Sequence, residues 1–105
     1  MAKRLRYHPL VADDISAAID WYEGRSAGLG DRFRSAVDAR FDDIVDAPEM
    51  FPHAFGDSDL RFARIHKFPY LVLFRVREEI VYVMGLFHSA SDPAKWRRRA
   101  RRWYG

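Results

Sequence analysis

The chain has 105 residues, of which 49% are hydrophobic, 31% charged and 15% aromatic, a composition that supports one core and excludes a disordered chain. It contains no cysteine, which removes disulfides, thiolate metal sites and cysteine nucleophiles together. No apolar run approaches the roughly 18 residues of a membrane span, and the basic start from Met1 to Tyr7 lacks the apolar stretch of a signal peptide, so a cytoplasmic single domain over residues 1–105 is expected. The net charge of +3 conceals a segregation. Residues 10–59 carry twelve acids against four arginines, whereas residues 60–105 carry eleven cations against three acids. Such asymmetry bears on partners more than on fold.

From Lys3 to His8, Leu5 and Tyr7 alternate with cations, the period of a short strand with one buried face. Pro9 ends it. Val11, Ile15, Ala18, Ile19 and Tyr22 then recur at helical spacing, with Asp13 and Asp14 early enough to favour the helix dipole, predicting a helix over 10–24. Gly24, Gly28 and Gly30 mark a turn. A second helix starts near Gly30, with Phe33, Val37, Phe41 and Ile44 as its buried stripe, and stops at Pro48. Residues 48–59 read as a loop. The period then becomes two: Leu60–Ile65, Tyr70–Val76 and Ile80–Phe87 are strands, the last two buried on both faces, with Gly85 marking a bulge. Asp92 and Pro93 open a final helix that carries Trp96, Ala100 and Trp103 on one face. The expected fold is α+β, in the order β-α-α-β-β-β-α, with a helical hairpin packed on a small, mainly antiparallel sheet.

The four histidines share no metal-ligand spacing, and the glycine cluster follows no strand and lacks the Lys-Ser/Thr ending of a phosphate loop, so neither a metal nor another cofactor is expected. His88 ends the last strand, where an imidazole either acts as an acid or base near neutral pH or simply bonds the backbone. Arg61, Arg64, Lys67, Arg75 and Arg77 punctuate the sheet. They are expected on the sheet face left open by the helical hairpin, as a phosphate-binding surface; the plainer reading is a solvated face, with Arg75 paired to an acid of that hairpin. The tail holds Lys95, Trp96, Arg97, Arg98, Arg99, Arg101 and Arg102. Cations interleaved with tryptophan suit an acidic partner, whether nucleic acid or protein. The plainer reading is a docked helix anchored by Trp96 and Trp103. An exposed edge of the meander is available for another strand, including one from a second copy of the chain.

Several strings together resemble the RelE/ParE toxin superfamily. They are Asp20-Trp21-Tyr22, Leu29-Gly30-x-x-Phe33, Pro48 with Pro52, Arg64-x-x-Lys67-Phe68-Pro69-Tyr70 leading into the strand to Val76, and His88-x-x-x-Asp92-Pro93-x-x-Trp96. The resemblance covers residues 4–99 and implies the toxin of a type II toxin–antitoxin, or plasmid-stabilisation, module, neutralised by a cognate antitoxin. Two mechanisms occur in such a superfamily: metal-free cleavage of messenger RNA on the ribosome, and trapping of DNA gyrase without hydrolytic chemistry. The RNase members carry an arginine after the third-strand tyrosine and a tyrosine near the C-terminus; here the first position is Leu71, and Ser89, Ala90 and Ser91 follow His88. A ParE-like toxin that binds gyrase is therefore expected, not an enzyme, with Arg61, Arg75, Lys95, Trp96, Arg97, Arg98, Arg99, Arg101 and Arg102 as partner-binding residues. The alternative is a RelE-like endoribonuclease acting on ribosome-bound messenger RNA through Arg64, Lys67 and His88. A third reading is an inactive remnant that still binds antitoxin.

Overall fold

The computed structural model describes residues 3–56, 58–101 and 103. Its elements are β1 (Arg4–Tyr7), α1 (Val11–Arg25), α2 (Leu29–Asp46), a single 3₁₀ turn (Pro48–Met50), β2 (Arg61–Arg64), β3 (Tyr70–Arg77), β4 (Ile80–His88) and α3 (Pro93–Ala100). The sheet order is β1-β4-β3-β2. β2, β3 and β4 form the expected antiparallel meander, while β1, the first strand in the chain, lies alongside β4 in parallel, making the sheet mixed. The β3–β4 register slips between Leu73 and Phe74, which pair with Gly85 and Val83, leaving Met84 as the extra residue of a bulge beside Gly85.

The stripe Phe33, Val37, Phe41 and Ile44 is buried, and with Val11, Ala18 and Tyr22 of α1 it packs on Ala63, Ile65, Val72, Phe74, Val81, Val83 and Leu86 of the sheet. The opposite face of the sheet carries a second core of Leu60, Leu71, Leu73, Met84 and Phe87, roofed by Trp96 and Ala100 of α3. This corrects the expectation of an open, cationic sheet face. Residues 71–74 are all apolar, so both faces of β3 must be covered to leave water. α3 and the segment around Phe55 supply the second cover.

The α1–α2 turn is closed by one carboxylate. Gly28 precedes α2 at φ 86°, a conformation a side chain rarely adopts. The backbone N–H groups of Gly28 (3.0 Å) and Gly30 (2.9 Å) donate to Glu23. These bonds satisfy N–H groups at the start of α2 that no turn of helix can reach, and they hold the Glu23 carboxyl below its ordinary pKa. A lowered folded-state pKa means stability that is present above the unfolded value and is lost as pH falls through the folded one. Glu23→Gln is therefore expected to lower Tm at pH 7 and to flatten the acid limb of a Tm-against-pH curve below about pH 4.5; a variant whose acid limb overlays the parent's would show that Glu23 is not the group titrating there.

Candidate functional site: a groove between α1 and α3

A groove of about 570 Å³ opens where α1 and α3 meet the C-terminal end of β4. Its floor is Tyr70, Leu86 and His88; its walls are Trp21 and Tyr22 from α1 and Lys95 and Arg99 from α3. Trp21 lies off the buried stripe of α1 and is 53% exposed, with the Arg25 guanidinium 4.2 Å from its ring centre. An aromatic rim, a cationic wall and an apolar floor form a surface suited to anchoring a side chain of a partner protein.

One ion pair fixes the groove's two walls. Arg99 donates to both carboxylate oxygens of Asp14, at 2.7 and 3.1 Å, and to the Met84 carbonyl at 3.2 Å. The same carboxylate accepts from the Leu86 N–H at 3.1 Å. Four groups from α1, α3 and the bulged part of β4 thus close on one another. Gly85 makes room for it: a Cβ there would lie 2.8 Å from an Arg99 nitrogen and from the Phe87 ring. Next to the pair sits His8, whose Nδ1 accepts from the Leu10 N–H and whose ring lies 5.4 Å from that of Trp103. Burial, reinforced by the Arg99 charge and opposed by Asp14, lowers the His8 pKa.

The three residues named for the RNA-cleaving alternative all lie toward one end of the sheet, yet in different environments. Arg64 shares its face with Leu60 and Phe62, the α3 side, and its guanidinium stands 5.5 Å from the Phe62 ring. His88 pairs with Tyr70, whose ring packs among Tyr22 and Phe33 on the hairpin side. Lys67 lies in the β2–β3 turn at φ 68° and lines a separate cleft with Leu29, Arg32 and Phe68 against α2. His88 also has one nitrogen committed: Nδ1 accepts from the Ala90 N–H at 3.0 Å, which places the proton of the neutral ring on Nε2. The ring lies 5.1 Å from that of Tyr70, and burial raises the Tyr70 pKa, keeping its phenol neutral.

The partner-binding candidates divide as well. Lys95, Arg97, Arg98 and Arg101 are exposed. Arg61 is half-buried and donates to the Phe51 carbonyl, tying down the segment after the 3₁₀ turn. Arg75 is buried and pairs with Asp59 at 3.4 Å, in the loop before β2 and not on the helical hairpin. Trp96 is buried against Phe87, with its indole N–H on Ser91 Oγ, so it anchors α3. Arg99 is spent on Asp14. Arg102 lies outside the described residues. No group of three or more metal-ligating side chains occurs among the described residues, and no described helix is long and apolar enough to cross a membrane. The Asp14–Arg99 pair and the groove it braces were absent from the sequence reading. The one available signal was Trp21, an aromatic residue outside an otherwise complete apolar stripe.

A helical hairpin on one face of a four-stranded mixed sheet, with a short cationic helix closing the second face, defines a small α+β domain. Residues 5–93 match the family model described as ParE toxin of type II toxin-antitoxin system, parDE, and the chain belongs to that family. It is 30% identical over 94 residues to Toxin ParE2 of Mycobacterium tuberculosis, in the strains CDC 1551 / Oshkosh and ATCC 25618 / H37Rv, covering 89% of this chain and 88% of the relative. Two solved structures share the fold. One belongs to the chromosomal ParDE system of P. aeruginosa, with TM-score 0.68, 13% identity and coverage of 83% of this chain and 96% of that one. The other is a free-state mutant of the E. coli toxin RelE, with TM-score 0.69, 14% identity and 96% coverage of both chains.

Proposed function

We propose that this ParE-family toxin arrests growth by gripping a protein target, with DNA gyrase as that target, and that its cognate antitoxin neutralises it through the groove between α1 and α3. The observation that carries the binding reading is the separation of Arg64, Lys67 and His88 into different environments. A metal-free ribonuclease must take a proton from a 2′-hydroxyl, hold the charged phosphate and give a proton to the leaving oxygen within one small volume. Alternation puts Arg64 and His88 on opposite faces of the sheet at their strand ends, Lys67 lies in the β2–β3 turn, and the position after Tyr70 is the buried Leu71. The surface that remains is built for contact: Trp21 at the rim, Lys95 and Arg98 exposed on α3, and the ion pair behind them fixing the two walls to each other.

Expression without antitoxin should halt growth, and the purified chain with gyrase and supercoiled plasmid should accumulate linear DNA. His88→Ala should weaken both effects by less than about tenfold and abolish neither, because the ring lies on the groove floor as one contact among several and not as a reacting group. Lys95→Glu with Arg98→Glu should weaken both by about tenfold or more, since like-charge juxtaposition at an interface costs several kcal/mol. Charge reversal is preferable to truncating α3, because Trp96 and Ala100 are part of the core. Transcripts shortened on translating ribosomes by the parent chain and left intact by His88→Ala would overturn the proposal in favour of RNA cleavage; absence of any arrest would leave an inert antitoxin-binding chain.

A further inference from the structure

Between α2 and the β2–β3 turn lies a cleft of about 420 Å³, lined by Leu29, Arg32 and Ala36 of the helix and by His66, Lys67 and Phe68 of the turn. The three helix residues are spaced three and four apart and share one face of α2. The turn opposite them is firmly held. The Phe68 N–H donates to the Ile65 carbonyl at 3.3 Å, the Ile65 N–H to the Tyr70 carbonyl at 2.9 Å, and the Ser89 N–H to the Pro69 carbonyl at 2.8 Å. The Phe68 ring packs edge-on, 4.9 Å from Tyr22 and 5.0 Å from Phe33. On this frame Lys67 stands at φ 68°, a backbone conformation that glycine or asparagine adopts readily and lysine rarely. Arg32, His66 and Lys67 are exposed, and no described carboxylate forms an ion pair with any of them. Two full charges and an imidazole therefore edge the cleft, over a floor of half-buried Leu29, Ala36 and Phe68.

We infer that this cleft is a second protein-docking site, which takes an acidic segment of a partner carrying one apolar anchor residue. Charge complementarity selects the acid. Arg32 offers a planar fork that matches a carboxylate, Lys67 a mobile point charge, and the His66 ring a further hydrogen bond. A partner carboxylate displaces no ion pair within the described chain to reach them. The floor selects the anchor. Leu29, Ala36 and Phe68 pack on the core from one side and stay half-exposed on the other, so an apolar side chain seated there takes their remaining surface out of water. A nucleic-acid backbone would meet the cations and leave that floor wet, so the acidic peptide is the better fit. The pinned turn sets the backbone of His66 and Lys67 before a partner arrives, which lowers the ordering cost of binding. The cleft shares no lining residue with the groove between α1 and α3, so it stands whether or not gyrase is the target.

The test uses the purified full chain, isotope-labelled for amide spectra, and three synthetic twelve-residue peptides. The first has a central leucine among glutamates and serines; the second replaces its glutamates by glutamines; the third replaces its leucine by serine. The first should bind with a Kd below about 1 mM and move the amide signals of residues 29–36 and 66–68. The other two should each bind at least about fivefold more weakly. Arg32→Gln with Lys67→Gly should weaken the first peptide by about tenfold and leave Tm no lower than the parent's, since glycine takes the left-handed backbone freely. Arg6→Gln with Arg34→Gln removes the same charge from exposed positions elsewhere and should leave the affinity within about twofold. Equal losses in the two double variants would reduce the effect to net charge and overturn the assignment. So would equal affinity for the peptide without leucine, signals that move on α3 instead of in the cleft, or displacement of the peptide by an equal concentration of a short DNA duplex. A Tm lowered by more than about 5 °C in the first double variant would make Lys67 a structural residue and overturn it as well, as would no binding at about 1 mM. Gyrase trapping is read in a separate assay, so failure of one proposal leaves the other measurable.

Discussion

Replacing Phe33 by alanine should cost about 4 kcal/mol and lower Tm by about 15–25 °C. Phe33 is fully buried on α2, and its ring centre lies 5.0 Å from Tyr22, 5.0 Å from Phe68 and 5.2 Å from Tyr70. Removing the ring loses its transfer free energy, opens a cavity, and breaks contacts with three aromatic neighbours worth about 0.5–1.5 kcal/mol each. α1, α2 and β3 meet at that point, so little backbone is free to collapse into the space. Phe33→Leu keeps most of the volume and should cost about 1.5 kcal/mol. Urea unfolding at constant m-value reads both; an alanine variant within 1 kcal/mol of the parent would mean that the cluster repacks and that the hairpin is held elsewhere. A functional consequence accompanies the loss, because Tyr70 supports His88 and the groove floor.

Asp14→Ala should cost about 2–3 kcal/mol, below the 3–5 kcal/mol of a fully buried pair because both side chains retain some solvent contact. The loss has two sources. Arg99 keeps its charge with the Met84 carbonyl and the Phe87 ring but no carboxylate, and the Leu86 N–H loses its acceptor inside the sheet. Asp14→Asn retains an acceptor for that N–H and should lose about half as much. Asp14→Leu with Arg99→Leu should recover part of the loss, since apolar replacement of both partners removes the stranded charge. If the double variant is as unstable as the two single losses added together, the pair does not couple α1 to α3. High salt distinguishes the pair from the exposed Arg40–Asp43 bridge, which screening should weaken first.

Periodicity carried the elements because helices and strands place apolar residues at fixed intervals whatever they pack against. The 4-4-3 spacing from Phe33 to Ile44 and the capping pair Asp92-Pro93 are both present as read, with the Asp92 carboxylate accepting from the Ala94 N–H at 3.0 Å. Alternation also placed Arg64 and Ala63 on opposite faces of β2. Alternation did not say what covers each face. The reading of β3 as buried on both sides already conflicted with an open cationic surface, and the structure resolves that conflict by folding α3 over it.

The order of elements, the two helical stripes, the doubly buried central strands and the charge segregation were determined by the sequence alone, because each depends on neighbours within a few residues. The tertiary structure decided which charges remain available. Arg75 and Arg99 are indistinguishable in the sequence from Arg98 and Arg101, yet the first two are drawn inward to Asp59 and Asp14 while the other two side chains are exposed. Pairing across 85 residues of chain depends on how the helices and sheet close on one another, and no local pattern encodes that distance.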